Sequence, residues 1–386
     1  MIAQFAPRFD HMERLNFSAD ADILKFELVS PTRNRGRGAQ SNRSGRFEKV
    51  RRESFDDGWS EADPLDAFET IEHVERATSI ITRNTSPDLH FDRSINPYRG
   101  CAHGCSYCYA RPTHTYMGHS AGLDFERDIY IKPNAVELLK RELGHGRYRA
   151  KMIAIGTNTD PYQPVERKHK IMRGLLEVLL ETKHPVTITT KSALIVRDLD
   201  LLTRLAAQNL VSVTISMTSM DHKLSRWMEP RASTPAKRLE AIKLLSEAGV
   251  PTHVLTAPLI PAINDMELER MLDAAAAQGA SGAQMIMLRL PAEVKDIFRE
   301  WLLRYYPNKV SHVLNLVRDM RGGREEGKLN DPRFHDRFRG SGAYAKMVQQ
   351  RFERRIERLG LNSNPIVLRS DLFTPPQKES AQLSLF

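Results

Sequence analysis

Residues 96–108 read Asn-Pro-Tyr-Arg-Gly-Cys-Ala-His-Gly-Cys-Ser-Tyr-Cys and contain Cys101, Cys105 and Cys108, the three cysteines of a 386-residue chain. An odd number of thiols cannot pair completely, and such close spacing is not that of a disulfide framework. It is the spacing of a loop that wraps a metal centre. Thiolates are soft ligands that select zinc, copper(I) or iron–sulfur clusters. Two readings stand on these residues alone. Zinc takes four ligands, and His103 inside the loop is a candidate for the fourth. An iron–sulfur cluster held by three cysteines keeps one iron open for an exogenous ligand.

The spacing Cys-x3-Cys-x2-Cys, with Tyr107 just before the last cysteine, resembles the signature of the radical S-adenosylmethionine (SAM) superfamily. The resemblance implies a [4Fe–4S] cluster on Cys101, Cys105 and Cys108, with SAM chelated by the open iron. It also implies an electron donor such as flavodoxin or ferredoxin, and a 5′-deoxyadenosyl radical that abstracts hydrogen from a substrate.

Outward from the loop the chain alternates. The stretch 91–97 (FDRSINP) reads as a strand leading into the cysteines. Further β-type runs lie at 151–157, 185–192, 210–216, 251–257 and 283–290. Helical patterns fill the gaps at 133–143, 168–182, 197–208, 235–248, 265–278 and 292–305. Pro133 and Pro235 suit first helical turns, and Gly144, Gly249 and Gly279 suit the position just past a helix end. Strand–helix alternation at this interval predicts an α/β fold with a parallel sheet and right-handed crossovers. Six units are too few for a closed eight-unit barrel. They match the partial (β/α)6 TIM-like barrel that the radical SAM resemblance implies. In such folds the site lies at the C-terminal ends of the strands.

The residues after those strands are therefore the candidates for binding SAM. Thr157, Asn158, Thr159 and Asp160 follow the second strand in a polar, turn-rich loop, GTNTDPYQPVE. They offer hydroxyls and carbonyls to the amino group of SAM. The Gly-Gly-Glu sequence common in the superfamily at this place is absent. Lys191, after Thr189 and Thr190, is a point-charge partner for the SAM carboxylate. Ser216 is placed for the ribose, and Glu229-Pro230-Arg231 puts opposite charges over the same face. In Pro258–Asp265 the apolar residues suit adenine, and Asn264-Asp265 reads as a helix N-cap.

Together, NPYRGCAHGCSYCYARPTH, GTNTDPYQPVE, TTKS and APLIPAIND resemble the spore photoproduct lyase-related branch of bacterial radical SAM proteins, over about residues 80–300. Spore photoproduct lyase reverses a thymine dimer in DNA, so the resemblance implies a DNA repair lyase-like activity. One departure matters. That lyase uses a further cysteine as hydrogen donor, and no fourth cysteine exists here. Tyr98, Tyr109 and Tyr162 are the candidate donors in its place.

Charge and composition agree with an anionic partner. The net charge is +9 and the sequence pI about 9.4, which permits nucleic acid. No apolar run is long enough to span a bilayer, and Met1–Leu15 has no signal-peptide core. A cytoplasmic, non-membrane protein is expected. Four regions are expected: a basic, partly disordered N-terminal region (1–75), the barrel (76–306), a basic helical extension (307–372) and a flexible tail (373–386). Residues 31–52 are rich in Arg, Gly, Ser and Asn and read either as a solvated, flexible arm or as a basic arm that lies along phosphates; Phe55, Trp59 and Leu65 follow in an acidic stretch. In the extension, Phe334, Phe338, Tyr344 and Phe352 interleave with Arg and Lys, a pattern that suits nucleic acid or an ordinary amphipathic helix. The tail ends in Gln382-Leu383-Ser384-Leu385-Phe386. It resembles the peptide with which bacterial polymerases and repair proteins dock on the DNA polymerase sliding clamp, through Gln382, Leu383, Leu385 and Phe386. Rival readings are an RNA- or protein-modifying radical SAM enzyme and a zinc-stabilised DNA-binding protein.

Overall fold

A computed structural model of the chain describes residues 36–48, 69–322 and 328–377. Ten strands are present among them: β1 (Ile71–Val74), β2 (Ile81–Arg83), β3 (Arg93–Ile95), β4 (Tyr98–Arg99), β5 (Asp128–Ile131), β6 (Ile153–Ile155), β7 (Val186–Thr190), β8 (Val211–Met217), β9 (Thr252–Leu259) and β10 (Gly282–Met287). The main sheet has the order β10-β9-β8-β7-β6-β3-β2. Its six strands from β3 to β10 are parallel and adjacent in chain order, and β2 adds an antiparallel edge on β3. A second sheet, β1-β5-β4, lies beside the cysteine loop. All six strands expected from the alternation are therefore present, in an open sheet of the expected partial-barrel type.

Residue alternation along the strands explains where the core sits. Register places Ile153, Val186 and Val211 side by side on one face, followed by Ile155, Ile188 and Val213. Helices cover this apolar face. Successive side chains point to opposite faces, so the other face carries Ser94, Ala154, Thr187 and Ser212 in one row and Thr189, Thr214 and His253 in the next. A closed barrel fills its interior with bulky branched residues. Here most of these positions carry small hydroxyl side chains instead.

Most expected helices form. Thr234 caps the helix Pro235–Glu247 by accepting from Lys237 N, with Pro235 at its first turn. Gly249 and Gly279 take the left-handed conformation past their helices, whereas Gly144 stays at φ −75°. The single helix expected over 168–182 is broken into Glu166–His169 and Ile171–Glu181, because Lys170 sits at φ 51°. Asn264 does not cap a helix. It is buried, its amide donating to Thr218 O (2.6 Å) and Pro258 O (2.9 Å) and accepting from Ile260 N (2.6 Å), which fixes the loop after β9.

The Arg/Gly-rich arm departs from expectation where it is described. Arg37, Gln40 and Ser41 are buried, and Ala39 is wholly so. Composition reads as solvated, but several of its polar groups have remote partners. Gly38 N and Ala39 N donate to the Glu126 carboxylate (2.9 and 2.8 Å), and Ser41 Oγ donates to Glu300 (2.8 Å) on the helix Val294–Tyr305. A Cβ on Gly38 would stand 1.6 Å from Gly104 O, so only glycine lets the arm lie against the cysteine loop. Residues 1–35 and 49–68, with Phe55, Trp59 and Leu65, lie outside the described residues.

The extension packs on the sheet edge. The helix Gly342–Arg358 pairs Arg351 with Glu269 (2.7 Å) and Arg355 with Asp273 (2.5 Å), on the helix Leu268–Ala277. Its aromatics are structural: Phe352 is buried and the Tyr344 hydroxyl donates to Asp265. Asn362 caps the edge strand, accepting from Ala283 N and donating to Ala283 O, each at 2.9 Å. The tail region begins packed rather than free: Phe373 stands edge-on to His184, and Thr374 N donates to Thr182 O (2.9 Å). Residues 378–386 lie outside the described residues. No helix among the described residues is long and apolar enough to cross a membrane.

Candidate radical SAM site

The cysteine loop follows β4, at the C-terminal end of β3, and neighbouring elements pin it. Cys101 N donates to Phe125 O (2.9 Å), Ser106 N to Met228 O (3.0 Å) and Ala102 N to the Gln163 side chain (2.8 Å). Arg111 lies buried beneath the loop and donates to Cys105 O (2.9 Å), Ala121 O (3.1 Å), Gly122 O (2.9 Å) and Glu126 (2.5 Å). Glu126 is the carboxylate that also receives the arm. Cys101 and Cys105 are buried and Cys108 is half-buried.

The loop after β6 is set from two sides. Asn96 Oδ1 accepts from Asn158 N (2.9 Å), and Asn96 Nδ2 donates to the Thr157 hydroxyl (3.2 Å). Gly156, at φ 88°, passes so close to β7 that a Cβ would lie 2.2 Å from Thr189 O. Asp160 is a hub. It accepts from Tyr162 N (2.9 Å), the Thr190 hydroxyl (2.6 Å) and Lys191 N (2.7 Å), and His103 Nδ1 stands 3.3 Å from Oδ2. Burial would raise its carboxyl, but His103, Thr190 and the Lys191 amide outweigh burial and hold it at about 2. Both oxygens are thus engaged in joining the β6 loop, the β7 loop and the cysteine loop. The Thr159 hydroxyl is likewise engaged, donating to Tyr98 O (2.9 Å).

Lys191 lies at the end of β7, and no carboxylate among the described residues pairs with its ammonium within 4 Å. Burial opposes its charge, and Cys105, Glu229 and Asp160 outweigh that opposition, so its pKa stays above the ordinary lysine value. Glu229 is buried. It accepts from the Tyr107 hydroxyl, the Thr218 hydroxyl (2.6 Å) and Arg238. Arg238 also donates to Ser216 O (2.9 Å) and Ser233 O (2.8 Å). The Ser216 hydroxyl points back to Ala257 O (3.4 Å). Asn96, Arg111, Glu126, Gln163 and Arg238 were not singled out from sequence. Their roles depend on partners far along the chain, which local spacing does not announce.

Residues 95–275 match the family described as the Radical SAM superfamily. An uncharacterized protein of Mycobacterium tuberculosis (strain H37Rv) is 38% identical over 232 residues, 60% of this chain and 68% of the relative. The chain belongs to the radical SAM superfamily. An uncharacterized protein of Methanocaldococcus jannaschii is 28% identical over 173 residues, 45% of this chain and 62% of that one. Among solved structures, spore photoproduct lyase complexed with dinucleoside spore photoproduct superposes with a TM-score of 0.55 at 16% identity, covering 75% of this chain and 80% of that one. A lyase variant holding AdoMet and the same dinucleoside gives 0.55 at 17%, with the same coverage. At this identity the likeness establishes the fold. Radical SAM enzymes use a [4Fe–4S] cluster and SAM, and this chain is a radical SAM enzyme.

The thiols fit such a cluster better than a single ion. Tetrahedral zinc with Zn–S bonds of about 2.3 Å places its sulfurs about 3.8 Å apart. Among the described residues, the one set of three His, Cys, Asp or Glu ligand atoms within 4.8 Å of one another is His119, Asp124 and Asp128; the three cysteines do not form such a set. The donor set itself suits an iron–sulfur centre: three soft cysteine thiols lie on one loop, two of them buried. Burial first, then Asp160 and Cys108, push the Cys101 thiol up to about 12, and burial and Glu229 raise Cys105. Two such sulfurs ionise together only beside strong positive charge. His103 Nδ1 faces Asp160 Oδ2 at 3.3 Å. The His119 set has protein donors already: Asn42 and Ser120 N on Asp124, and His73 and Arg127 on Asp128.

The candidate hydrogen donors separate by environment. Tyr98 and Tyr162 are buried, and their hydroxyls donate to Glu166 and to Asp198 (3.2 Å). Tyr109 is 45% exposed, follows Cys108 directly and donates to Thr157 O. Of the three, Tyr109 alone borders both the cysteine loop and open solvent.

Proposed function

We infer that this radical SAM enzyme acts on nucleic acid in a DNA repair lyase-like reaction, with Cys101, Cys105 and Cys108 as cluster ligands. The observation that carries the site is the three-cysteine loop beside Lys191, an ammonium with no ion-pair partner among the described residues. With the cluster and SAM bound, one-electron cleavage of the sulfonium supplies a 5′-deoxyadenosyl radical for hydrogen abstraction. The chain's own residues do the rest. Lys191 meets the SAM carboxylate, and Glu229 and Asp160 keep it charged. Tyr107, through Glu229 and Arg238, stiffens the floor of the pocket, and the Thr157–Asn158 backbone, ordered by Asn96, lines its wall. Asp160 and Thr159 position these loops, and Ser216 presents its backbone near the ribose. In the absence of a fourth cysteine, Tyr109 would give the hydrogen atom of its O–H to the substrate radical, and the resulting tyrosyl radical would be restored by one electron from the donor and one proton from solvent.

Support for the nucleic-acid substrate comes from the net charge of +9 and from the shared fold with spore photoproduct lyase, whose complex holds dinucleoside spore photoproduct. The tail Gln382–Phe386 tethers the enzyme to the sliding clamp, and a flavodoxin- or ferredoxin-type donor supplies the electron. The cytoplasm is the compartment in which the thiols stay reduced. The test is anaerobic reconstitution with iron and sulfide, reduction in the presence of SAM, and assay for 5′-deoxyadenosine. About four irons per chain and nucleoside formation, both lost in Cys105→Ala, support the reading. A colourless zinc protein that leaves SAM intact overturns it.

A further inference from the structure

The mouth of the sheet carries an alternation of aromatic rings and guanidinium groups. The Arg289 guanidinium, just past β10, lies 4.6 Å from the Tyr109 ring centroid and 5.4 Å from that of Phe338. Arg337 lies 4.8 Å from Phe338 and 5.1 Å from Phe334. The order is Tyr109, Arg289, Phe338, Arg337, Phe334. It begins at the residue after Cys108 and ends on a ring that is 50% exposed.

An exposed phenylalanine gains nothing from water, yet this one is held rigidly. Arg337 makes two bonds to Asp88 (2.7 and 2.5 Å), and His335 N donates to the same carboxylate (3.0 Å). Buried Arg321 ties the segment to the end of β10, donating to Asp336 O (2.9 Å) and Leu288 O (2.6 Å). His335 is kept at φ 67°, a left-handed value rare outside glycine. A backbone over-determined in this way persists where it displays something.

Charge along the stack is uneven. Asp88 neutralises Arg337 and Asp331 neutralises Arg333. Arg289 and the exposed Arg339 make no ion pair among the described residues. The surface thus combines free aromatic faces with uncompensated guanidinium groups. Aromatic faces receive bases without regard to sequence, and cations beside them receive phosphates.

We propose that this stack is the seat of an unpaired stretch of nucleic acid, with a base on Phe334 and phosphates at Arg289 and Arg339, leading a target nucleotide to the cysteine loop at Tyr109. The proposal rests on the nucleic-acid reading above and deepens it. A base inside a duplex has no free face to offer Phe334. Recognition is therefore of single-stranded or locally opened strands.

The test uses the reconstituted full-length enzyme and a dye-labelled oligothymidylate of about twelve nucleotides, followed by fluorescence anisotropy. Phe334→Ala is expected to weaken binding about 10-fold, and Phe334→Tyr to restore it. Arg339→Ala is expected to lower the salt dependence of binding by about one unit of slope. All three variants should form 5′-deoxyadenosine from SAM at the wild-type rate without nucleic acid, which shows the site and fold intact. Wild-type affinity in Phe334→Ala, or equal affinity for oligothymidylate and its perfect duplex, overturns the stacking site and leaves the nucleic-acid reading standing. If the wild type binds neither single strands nor duplex, that reading and this proposal fail together.

Discussion

Replacing Asp160 with Asn tests whether one buried carboxylate holds the site's loops in place. The side chain keeps its shape but loses its charge, and one accepting oxygen becomes a donor facing another donor. In the wild type the carboxyl stands at about 2 against an ordinary 3.8. At roughly 1.4 kcal/mol per tenfold change in acidity, this depression contributes about 2 kcal/mol to the folded state at neutral pH. With an unfolding entropy of about 2 cal/mol/K per residue over 386 residues, the midpoint should fall by about 3 °C. The sign of the pH dependence follows from the depressed value. The stabilisation is fully present above about pH 4 and is lost as the pH falls toward 2. The assay is thermal unfolding of metal-free wild type and Asp160→Asn at pH 7.5, with urea midpoints down to pH 2.5. The gap between the two should be present at neutral pH and less than half as large at pH 2.5. Equal midpoints at pH 7.5, or a gap that acid leaves unchanged, would refute the reasoning.

Lys191→Met should raise the SAM dissociation constant of the reconstituted enzyme by about 10- to 100-fold, the loss of a charge-assisted contact of about 1.5–3 kcal/mol; equilibrium dialysis measures it, and an unchanged constant removes Lys191 from the SAM site. Tyr98→Phe and Tyr162→Phe each leave a buried carboxylate without its hydroxyl donor and should cost about 1–3 kcal/mol in thermal unfolding, whereas Tyr109→Phe should leave the midpoint within about one degree. Deletion of residues 382–386 should abolish capture by the sliding clamp in a pull-down while leaving 5′-deoxyadenosine formation intact; undiminished capture would end the tether reading.

Much of the fold was legible because its signals are local. Short apolar runs such as KMIAIGT and PVTITTKS carry their own strand pattern, and β6 and β7 form within them. The spacing of Cys101, Cys105 and Cys108 pointed to one loop, and the structure places all three on it. Lys170 was missed because a left-handed lysine in mid-pattern carries no composition signal. Residues 36–41 were misread for a different reason: an Arg/Gly/Ser segment looks solvated until Glu126 and Glu300 are known to receive it. Buried polar groups require partners, and here the partners lie 87 and 259 residues away. For Asn264 the composition was right for a cap, but three backbone groups, Thr218 O past β8, Pro258 O in β9 and Ile260 N after it, bind the amide more fully than a helix end does.

The arm also settles what counts as one folding unit. It touches Glu126 under the first strand's loop and then Glu293 and Glu300 on the helix after the last strand. A sheet whose two end strands never meet is thereby closed like a ring by a clasp that precedes it in the chain. The arm ties the segment beside the cysteine loop to the helix after the last strand. A fragment cut to residues 95–275 would keep every cysteine and still be an unlatched version of the protein.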